Sequence, residues 1–383
     1  MKKVKTASAR HCADDLMSFR VAALILIVAF LMPLPVMGQA ISVRGQLVLD
    51  VGQQTWEAQL VFRPIVIYNG SSFIMWYSGE DGSSLGIDNI GVATSIDGVH
   101  WTRYSGNPVL RLGSSGTWDS CSVLDPWVIS EGGGYKMWFV GQKCAQASLS
   151  SEAIGYATSP DGINWTKYTG GAHGNPILTP GASGSFDDEY VGLPVVISTA
   201  SGYTMYYRGV SSSGDLTQTG TATSTDGIHW TKNGMVSIPK SQWDSAYNHI
   251  SGIIKVGGTF VASYYGYSSG TGPSSYDQIG FANSTDGTTW TPYIGNPAVT
   301  YGAGQWDAGG VWYPFILPVG SNYYVYYTAD NNLTGSSDHY GIGLAILPAS
   351  QYALPEYSSL QFMTITATFT PILFMILRKR QSN

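Results

Sequence analysis

The 383-residue chain carries 25 acidic and 19 basic side chains, a formal net charge of −6, and only 11% of its residues are charged. Weak acidity with no basic stripe excludes nucleic acid as a partner. The 25 Tyr, 12 Trp and 47 Gly describe an aromatic, turn-rich chain, and the low charge suits an exported surface.

At the start, residues 1–20 are basic (Lys2, Lys3, Lys5, Arg10, Arg20) and Val21 to Met32 is uninterrupted apolar. Gly38-Gln39-Ala40 then offers the small-x-small pattern of a cleavage site, so 1–40 reads as a signal peptide, with a retained signal anchor as the alternative.

Residues 41–350 repeat. The phrase SIDGVHW (Ser95 to Trp101) returns as SPDGINW (Ser159 to Trp165), STDGIHW (Ser224 to Trp230) and STDGTTW (Ser284 to Trp290), at intervals of 64, 65 and 60 residues. A second phrase keeps the same beat: Trp56-Glu57, Trp118-Asp119, Phe186-Asp187, Trp243-Asp244 and Trp306-Asp307. Between them each unit has an apolar run, a Gly-containing turn, an aromatic run and then Gly-x-Ala-Thr-Ser or a near variant. Short β-rich runs bounded by Gly and polar clusters are strands and hairpins, so each unit predicts an antiparallel meander of about four strands. One meander is too thin to bury its own faces and must stack. The fold expected is all-β, a five-bladed β-propeller forming one domain. The last unit stops after Tyr340 to Ile346 without its own Asp-Gly phrase, and Ile41 to Asp50 belongs to no other unit, so that segment is expected to complete the fifth blade.

Asp97, Asp161, Asp226 and Asp286 each precede Gly in a hairpin turn and are read as structural. Trp101, Trp165, Trp230 and Trp290 are expected to pack between blades. The repeated Asp119, Asp187, Asp244 and Asp307, with Glu57 as the variant, are expected to bond to backbone where each blade begins. Cys121 and Cys144 lie symmetrically about Gly132-Gly133, which predicts direct opposition on two antiparallel strands and, outside the cell, a disulfide, with buried thiols as the alternative.

Function is sought where the units disagree. Aligned on the Trp-Asp phrase, Arg63, Asp125, Leu193, Ile250 and Tyr313 share one column, before Pro64, Pro126, Pro194, Ser251 and Pro314. This column heads the innermost strands and is expected to face the central funnel. Asp188, Glu189, Tyr190, Tyr247, Asn248, His249 and Trp312 lie just upstream in single units. The aromatics there can pack against sugars or belong to the core.

At the far end, Leu360 to Leu377 is 18 residues without a charge, about 27 Å if helical and just enough to span hydrocarbon. Arg378-Lys379-Arg380 follows, and positive charge stays on the cytoplasmic side. Residues 351–383 therefore read as a C-terminal transmembrane helix with a basic end, holding the propeller on the extracellular side of the membrane. The Pro355-Glu356 pair ahead of the span resembles the sorting tails that prokaryotic exosortases or archaeosortases process; a plain anchor and a sorting tail both stay open.

Gly155 to Trp165 (GYATSPDGINW), Asn107 to Leu110, Asn175 to Leu178 and Met75 to Gly79 (MWYSG) resemble the five-bladed propellers of glycoside hydrolase families 43 and 32, over about Gln53 to Ile346. Those enzymes keep three funnel carboxylates: a base or nucleophile in blade one, an Asp-Pro in blade two that tunes the acid, and a Glu acid in blade three. The resemblance implies Asp125 as the blade-two element and Glu189 as the acid, with Arg63, Asp188, Tyr190, His249, Trp312 and Tyr313 contacting substrate. It departs in blade one, where Arg63-Pro64 replaces the base, and Glu189 stands further from Pro194 than the family pattern has it. His249 can help to hold a calcium or other cation in such relatives, or serve as a hydrogen-bonded structural or substrate-contacting residue; no zinc pattern, GxSxG or phosphate loop is present. The expectation is a monomeric, extracellular carbohydrate-active propeller, a hydrolase acting on a glycan without a required cofactor; the alternative is a surface-displayed propeller that binds glycan or protein without cleaving it.

Overall fold

Each repeat folds into an antiparallel meander. The computed structural model describes residues 42–83, 86–144, 152–170, 176–214, 217–268, 276–302, 305–330 and 339–352; the signal-peptide assignment and the 360–377 span lie outside them. Among the described residues there is no α-helix, and no helix is long and apolar enough to cross a membrane. A short strand, β1 (Gln46–Leu49), comes first. The first meander is β2 (Leu60–Tyr68), β3 (Phe73–Glu80), β4 (Asp88–Ser95) and β5 (Thr102–Arg103). The second is β6 (Ser122–Glu131), β7 (Gly134–Gln142), β8 (Ala153–Ser159) and β9 (Thr166–Lys167). The third is β10 (Tyr190–Thr199), β11 (Gly202–Val210), β12 (Gln218–Ser224) and β13 (Thr231–Val236). The fourth is β14 (Tyr247–Val256), β15 (Thr259–Tyr267), β16 (Gln278–Ser284) and β17 (Thr291–Pro292). The last has β18 (Gly310–Val319), β19 (Asn322–Asp330) and β20 (Tyr340–Pro348), and its fourth strand is β1, antiparallel to β20 with Gln46 opposite Leu344.

The first strands β2, β6, β10, β14 and β18 lie against one another in that order, and β18 returns to β2. A single parallel bridge, Leu60 to Tyr340, joins the last meander to the first. The second strands are buried on both faces, which is why they read as unbroken apolar and aromatic runs rather than alternating ones. Trp76 of β3, for example, packs on Tyr135 and Trp165 of the next meander.

The repeated residues build this scaffold. In the turn after β8, Asp161 Oδ1 accepts the backbone N–H groups of Ile163 (3.0 Å) and Asn164 (2.8 Å) while Ser159 Oγ accepts that of Gly162. The same bonds recur around Asp97, Asp226 and Asp286. Each turn is also a socket for its neighbour. Trp76 donates to Gly162 O (2.9 Å), Trp138 to Gly227 O (2.9 Å), Tyr206 to Gly287 O (2.7 Å) and Tyr326 to Gly98 O (2.9 Å), so each bond crosses from one meander to the next, including the last to the first. The turn tryptophans pack edge-on across the same seams: Trp101 on Tyr326, Trp165 on Trp76, Trp230 on Trp138 and Trp290 on Tyr206.

Three of the five Trp-Asp phrases differ from expectation: Glu57 pairs with Arg103, Asp119 with Lys167 and Asp187 with Lys232, each cation coming from the fourth strand of the same meander. Asp244 bonds to backbone as expected, accepting the Ser241 N–H at 2.6 Å. Asp307 also accepts a backbone N–H, that of Gly302, and feels the charge of Arg44, just before β1, so the returning segment brings a cation to its meander as the fourth strands of the first three meanders do. A β-sheet edge must be tied to the sheet interior, and a buried carboxylate needs a partner; one pair does both.

The sequence-predicted disulfide is not formed: Cys121 and Cys144 are free thiols. The register explains the offset. A bulge between Leu124 and Trp127 slips the β6–β7 pairing by one, so Ser122 faces Gln142 at the strand ends and Cys121 misses direct opposition to Cys144. The thiols remain neighbours, and burial together with Cys144 pushes the Cys121 thiol up to about 11.

Candidate functional site at the head of the inner strands

The column Arg63, Asp125, Leu193, Ile250 and Tyr313 coincides with a β-bulge in every first strand, at Phe62/Ile65, Leu124/Trp127, Gly192/Val195, Ile250/Gly252 and Trp312/Phe315. Proline cannot donate to the ladder, so the four X-Pro pairs break it there. Arg63, Asp125, Leu193 and Tyr313 adopt left-handed backbone, with φ of 57°, 53°, 53° and 55°. Side chains pay for that conformation, and bulges re-aim them. Where Ser251 replaces proline, Ile250 is not among the left-handed residues. The neighbouring meander holds the strained backbone: Arg63 N–H donates to Thr328 Oγ1 (3.0 Å) and Asp125 N–H to Ser78 Oγ (2.9 Å).

From these bulges side chains converge. Arg63 Nε lies 3.2 Å from Asp125 Oδ1, with both side chains buried, and the guanidinium carbon stands 3.5 Å from the centroid of the Tyr313 ring. Tyr313 packs edge-on against Tyr265 (5.1 Å), and Tyr265 lies tilted against His249 (5.8 Å). Trp312 sits edge-on to Tyr313 (6.2 Å) and Tyr340 (5.2 Å). A second ion pair, Arg208 Nη2 to Glu152 Oε2 at 2.8 Å, lies against the bulge at Gly192, where an added Cβ would meet Glu152 Oε2 at 3.1 Å and Arg208 Nη2 at 3.4 Å. Arg208 also stands over the Tyr190 ring at 5.1 Å.

Burial sets the electrostatics. His249 is fully buried, and desolvation, then the charges of Arg63 and Arg208, hold its imidazole well below the usual value and therefore neutral. Desolvation raises the Glu152 carboxyl against the pull of Arg208, with Asp125 adding to the rise. Asp88, at the head of β4, is pushed well up by burial, with Glu80, Asp125 and Glu152 adding like charge. Asp277 is raised to about 6 by burial although Tyr247 Oη donates to it at 2.8 Å.

The structure thus brings together Arg63, Asp125, Tyr313, Trp312, His249 and, through Arg208, Tyr190. Asp188 and Glu189 stand apart from these bonds. Asp188 accepts the backbone N–H groups of Gly184 (2.7 Å) and Ser212 (2.7 Å) and the Ser212 hydroxyl (2.9 Å), which lower its carboxyl and tie two loops. Glu189 is half-buried and its side chain makes no hydrogen bond or ion pair among the described residues; its charge reaches Tyr190. Among the described residues no group of three or more His, Cys, Asp or Glu is placed to hold a metal ion.

Glu152, Asp88, Asp277 and Arg208 escape the sequence argument, which compared first strands alone. Aligning the third strands on Gly91, Gly155, Gly220 and Gly280 puts Asp88, Glu152, Thr217 and Asp277 in one column three residues ahead. The same rule, that variable positions in a repeat point to function, would have found the three carboxylates, though not Arg208 on β11.

No family model matches the chain. Two curated proteins of Mycobacterium tuberculosis, "Uncharacterized protein MT1551" and "Uncharacterized protein Rv1502", are each 29% identical over 191 residues, 47% of this chain; the match spans 58% of the length of these relatives. Among solved structures the chain is similar to one described as a BT0996 RGII complex (TM-score 0.64, 18% identity, 83% of this chain and 96% of that one). It is also similar to a glycosyl hydrolase from Bacteroides ovatus (0.56, 19%, 79% and 94%) and to a thermostable family-43 glycoside hydrolase (0.56, 15%, 77% and 91%). At such identities the likeness is one of fold. It agrees with the resemblance read from the repeats: the neighbours are propeller-fold glycoside hydrolases.

Proposed function

We propose that the chain is a five-bladed β-propeller, closed by β1, that holds a glycan in its central funnel. The observation that carries this reading is the convergence of residues unique to single blades, Arg63, Asp125 and Tyr313, from left-handed bulges into one buried cluster. Strained backbone, paired charge and aromatic faces at strand heads fit sugar recognition better than scaffold, because every scaffold role recurs around the ring. The solved structures of similar fold support a carbohydrate-active role.

Binding without cleavage is the reading that the Arg63–Asp125 pair favours. Glycoside hydrolysis generally needs two carboxyl groups flanking the bond, one protonated and one ionised. Here a guanidinium occupies the position where the resembled enzymes keep their base, and it is tied to Asp125. One observation favours hydrolysis: Asp88 and Glu152 are buried carboxyls raised by desolvation and by Asp125, which is how a general acid is kept protonated. The basic, apolar start and the span at 360–377 support display outside the cell on a membrane anchor.

The test is a polysaccharide panel scored for both retention and released sugar, with wild type beside Asp125→Asn, Glu189→Gln and Asp88→Asn. Saturable retention with no release is expected. Release abolished by Asp88→Asn or Glu189→Gln would replace the binding reading with a hydrolase using that residue as acid, and absence of any retention or release would remove the carbohydrate role.

A further inference from the structure

The two arginines of the site have more donors than partners. Among the described residues Arg63 Nη2 and Arg208 Nε are buried without a hydrogen-bond acceptor, and both ring nitrogens of His249, which is itself fully buried, lack a hydrogen-bond partner. Unmet buried donors cost about 1 to 3 kcal/mol each, more when charged, so a fold that keeps several together is built for an acceptor that arrives. Each guanidinium lies against a tyrosine ring, Arg63 on Tyr313 and Arg208 on Tyr190, and has one carboxylate partner. The remaining edge of each fork is what an incoming group would meet. Tyr313, on which Arg63 lies, packs against Tyr265, and Tyr265 against His249, while Arg208 lies against the bulge at Gly192, so both forks stand at the bulges of the inner strands.

Resting on the glycan-binding reading above, we propose that Arg63, Arg208 and His249 form an oxyanion subsite in the funnel that receives the carboxylate of an acidic sugar. The chemistry is that of an acceptor-only group. Guanidinium has donors and no acceptor, and neutral imidazole can turn one N–H toward the same point, whereas a carboxylate offers two oxygens and needs none of its own donors satisfied. A neutral hydroxyl would bring fewer accepting lone pairs and no charge to meet the guanidinium donors. Free inorganic phosphate also presents anionic accepting oxygens and is the other source that such a site would accept.

Calorimetry on the full chain separates these cases. The probes are oligouronides, the same oligosaccharides with their carboxyls reduced to alcohols, and inorganic phosphate. The proteins are wild type, Arg63→Gln and Arg208→Gln. Because each single change strands a buried carboxylate, Arg63→Gln/Asp125→Asn and Arg208→Gln/Glu152→Gln are included; these remove both charges of a pair and leave neither unpaired. The expected result is that the oligouronide binds wild type, and that either carboxyl reduction or loss of one arginine weakens binding about 10- to 100-fold, the worth of a charge-assisted hydrogen bond. Phosphate binding with the same arginine dependence, and no oligosaccharide binding, would keep the oxyanion site, make phosphate its ligand and remove the glycan reading. Equal binding of acidic and reduced oligosaccharides, unaffected by the paired variants, would overturn the subsite and leave the glycan reading intact. No binding of any probe would overturn both.

Discussion

Asp277 carries the most direct pH signal of the site. Burial lifts its carboxyl from an ordinary value of 3.8 to about 6, so between those values the folded chain binds more protons than the unfolded one. Stability from this group therefore falls as pH rises from about 4 to about 6 and is level above that. Asp277→Asn keeps an acceptor for Tyr247 and removes the titration. Chemical denaturation across pH 4 to 7 should show the variant gaining on wild type as pH rises through this window, and parallel curves would contradict the assignment. Arg63 gives a second test. Removing one member of a buried pair costs about 3 to 5 kcal/mol, whereas removing both costs less. Arg63→Met should lower unfolding stability by about that amount, and Arg63→Met/Asp125→Leu should recover a large part of it.

Within one meander, the stabilising unit is a large ring lying on flat glycines, with a carboxylate tied to the edge strand. An added Cβ at Gly155 would meet Trp118 Cη2 at 2.6 Å and Phe139 Cζ at 2.7 Å, too close for either ring to stay. Gly155→Ala should cost about 1 to 3 kcal/mol, the usual penalty of overpacking, read from a denaturant midpoint. The Asp161 turn is a different kind of element, because its carboxylate organises a loop whose Gly162 carbonyl anchors Trp76 of the preceding meander. Asp161→Ala should therefore loosen hydrogen-exchange protection at the Trp76 indole as well as in its own loop. Protection changes confined to residues near 161 would show that the seam does not depend on the turn.

For the whole molecule, the return of the N-terminal segment is the decisive feature. Val43 N–H donates to Ala298 O, β1 pairs with β20, and Arg44 acts on Asp307, so a short N-terminal segment binds the last two meanders. Deleting residues 42–50 would expose the β20 edge and strand Asp307. We expect a broadened, lower thermal transition and self-association measurable by light scattering, because an open apolar edge recruits further strands. A sharp transition at the wild-type temperature would mean that the fold does not need this strand.

The repeat was fully legible in the sequence, and with it the meanders, the turn aspartates, the packing of the turn tryptophans between neighbours and the return of the N-terminal segment. A feature demanded in every sector leaves its mark at a fixed period, and periodicity is a one-dimensional property. The bulge column was legible too, through its X-Pro pairs, and Arg63, Asp125 and Tyr313 were found by it. What lay beyond the sequence depended on register and reach. A one-residue slip at the Leu124/Trp127 bulge moved Cys121 off Cys144, and the paired Glu152, just ahead of β8, and Arg208, near the end of β11, come from different meanders and from strands that had not been compared. Glu189 carries the right side chain in an upstream position, but the bonds of the cluster do not include it. Which side chains share a pocket is fixed by strand register, backbone hand at the bulge and the order of meanders around the axis, and each of these is set only when the sheets have packed.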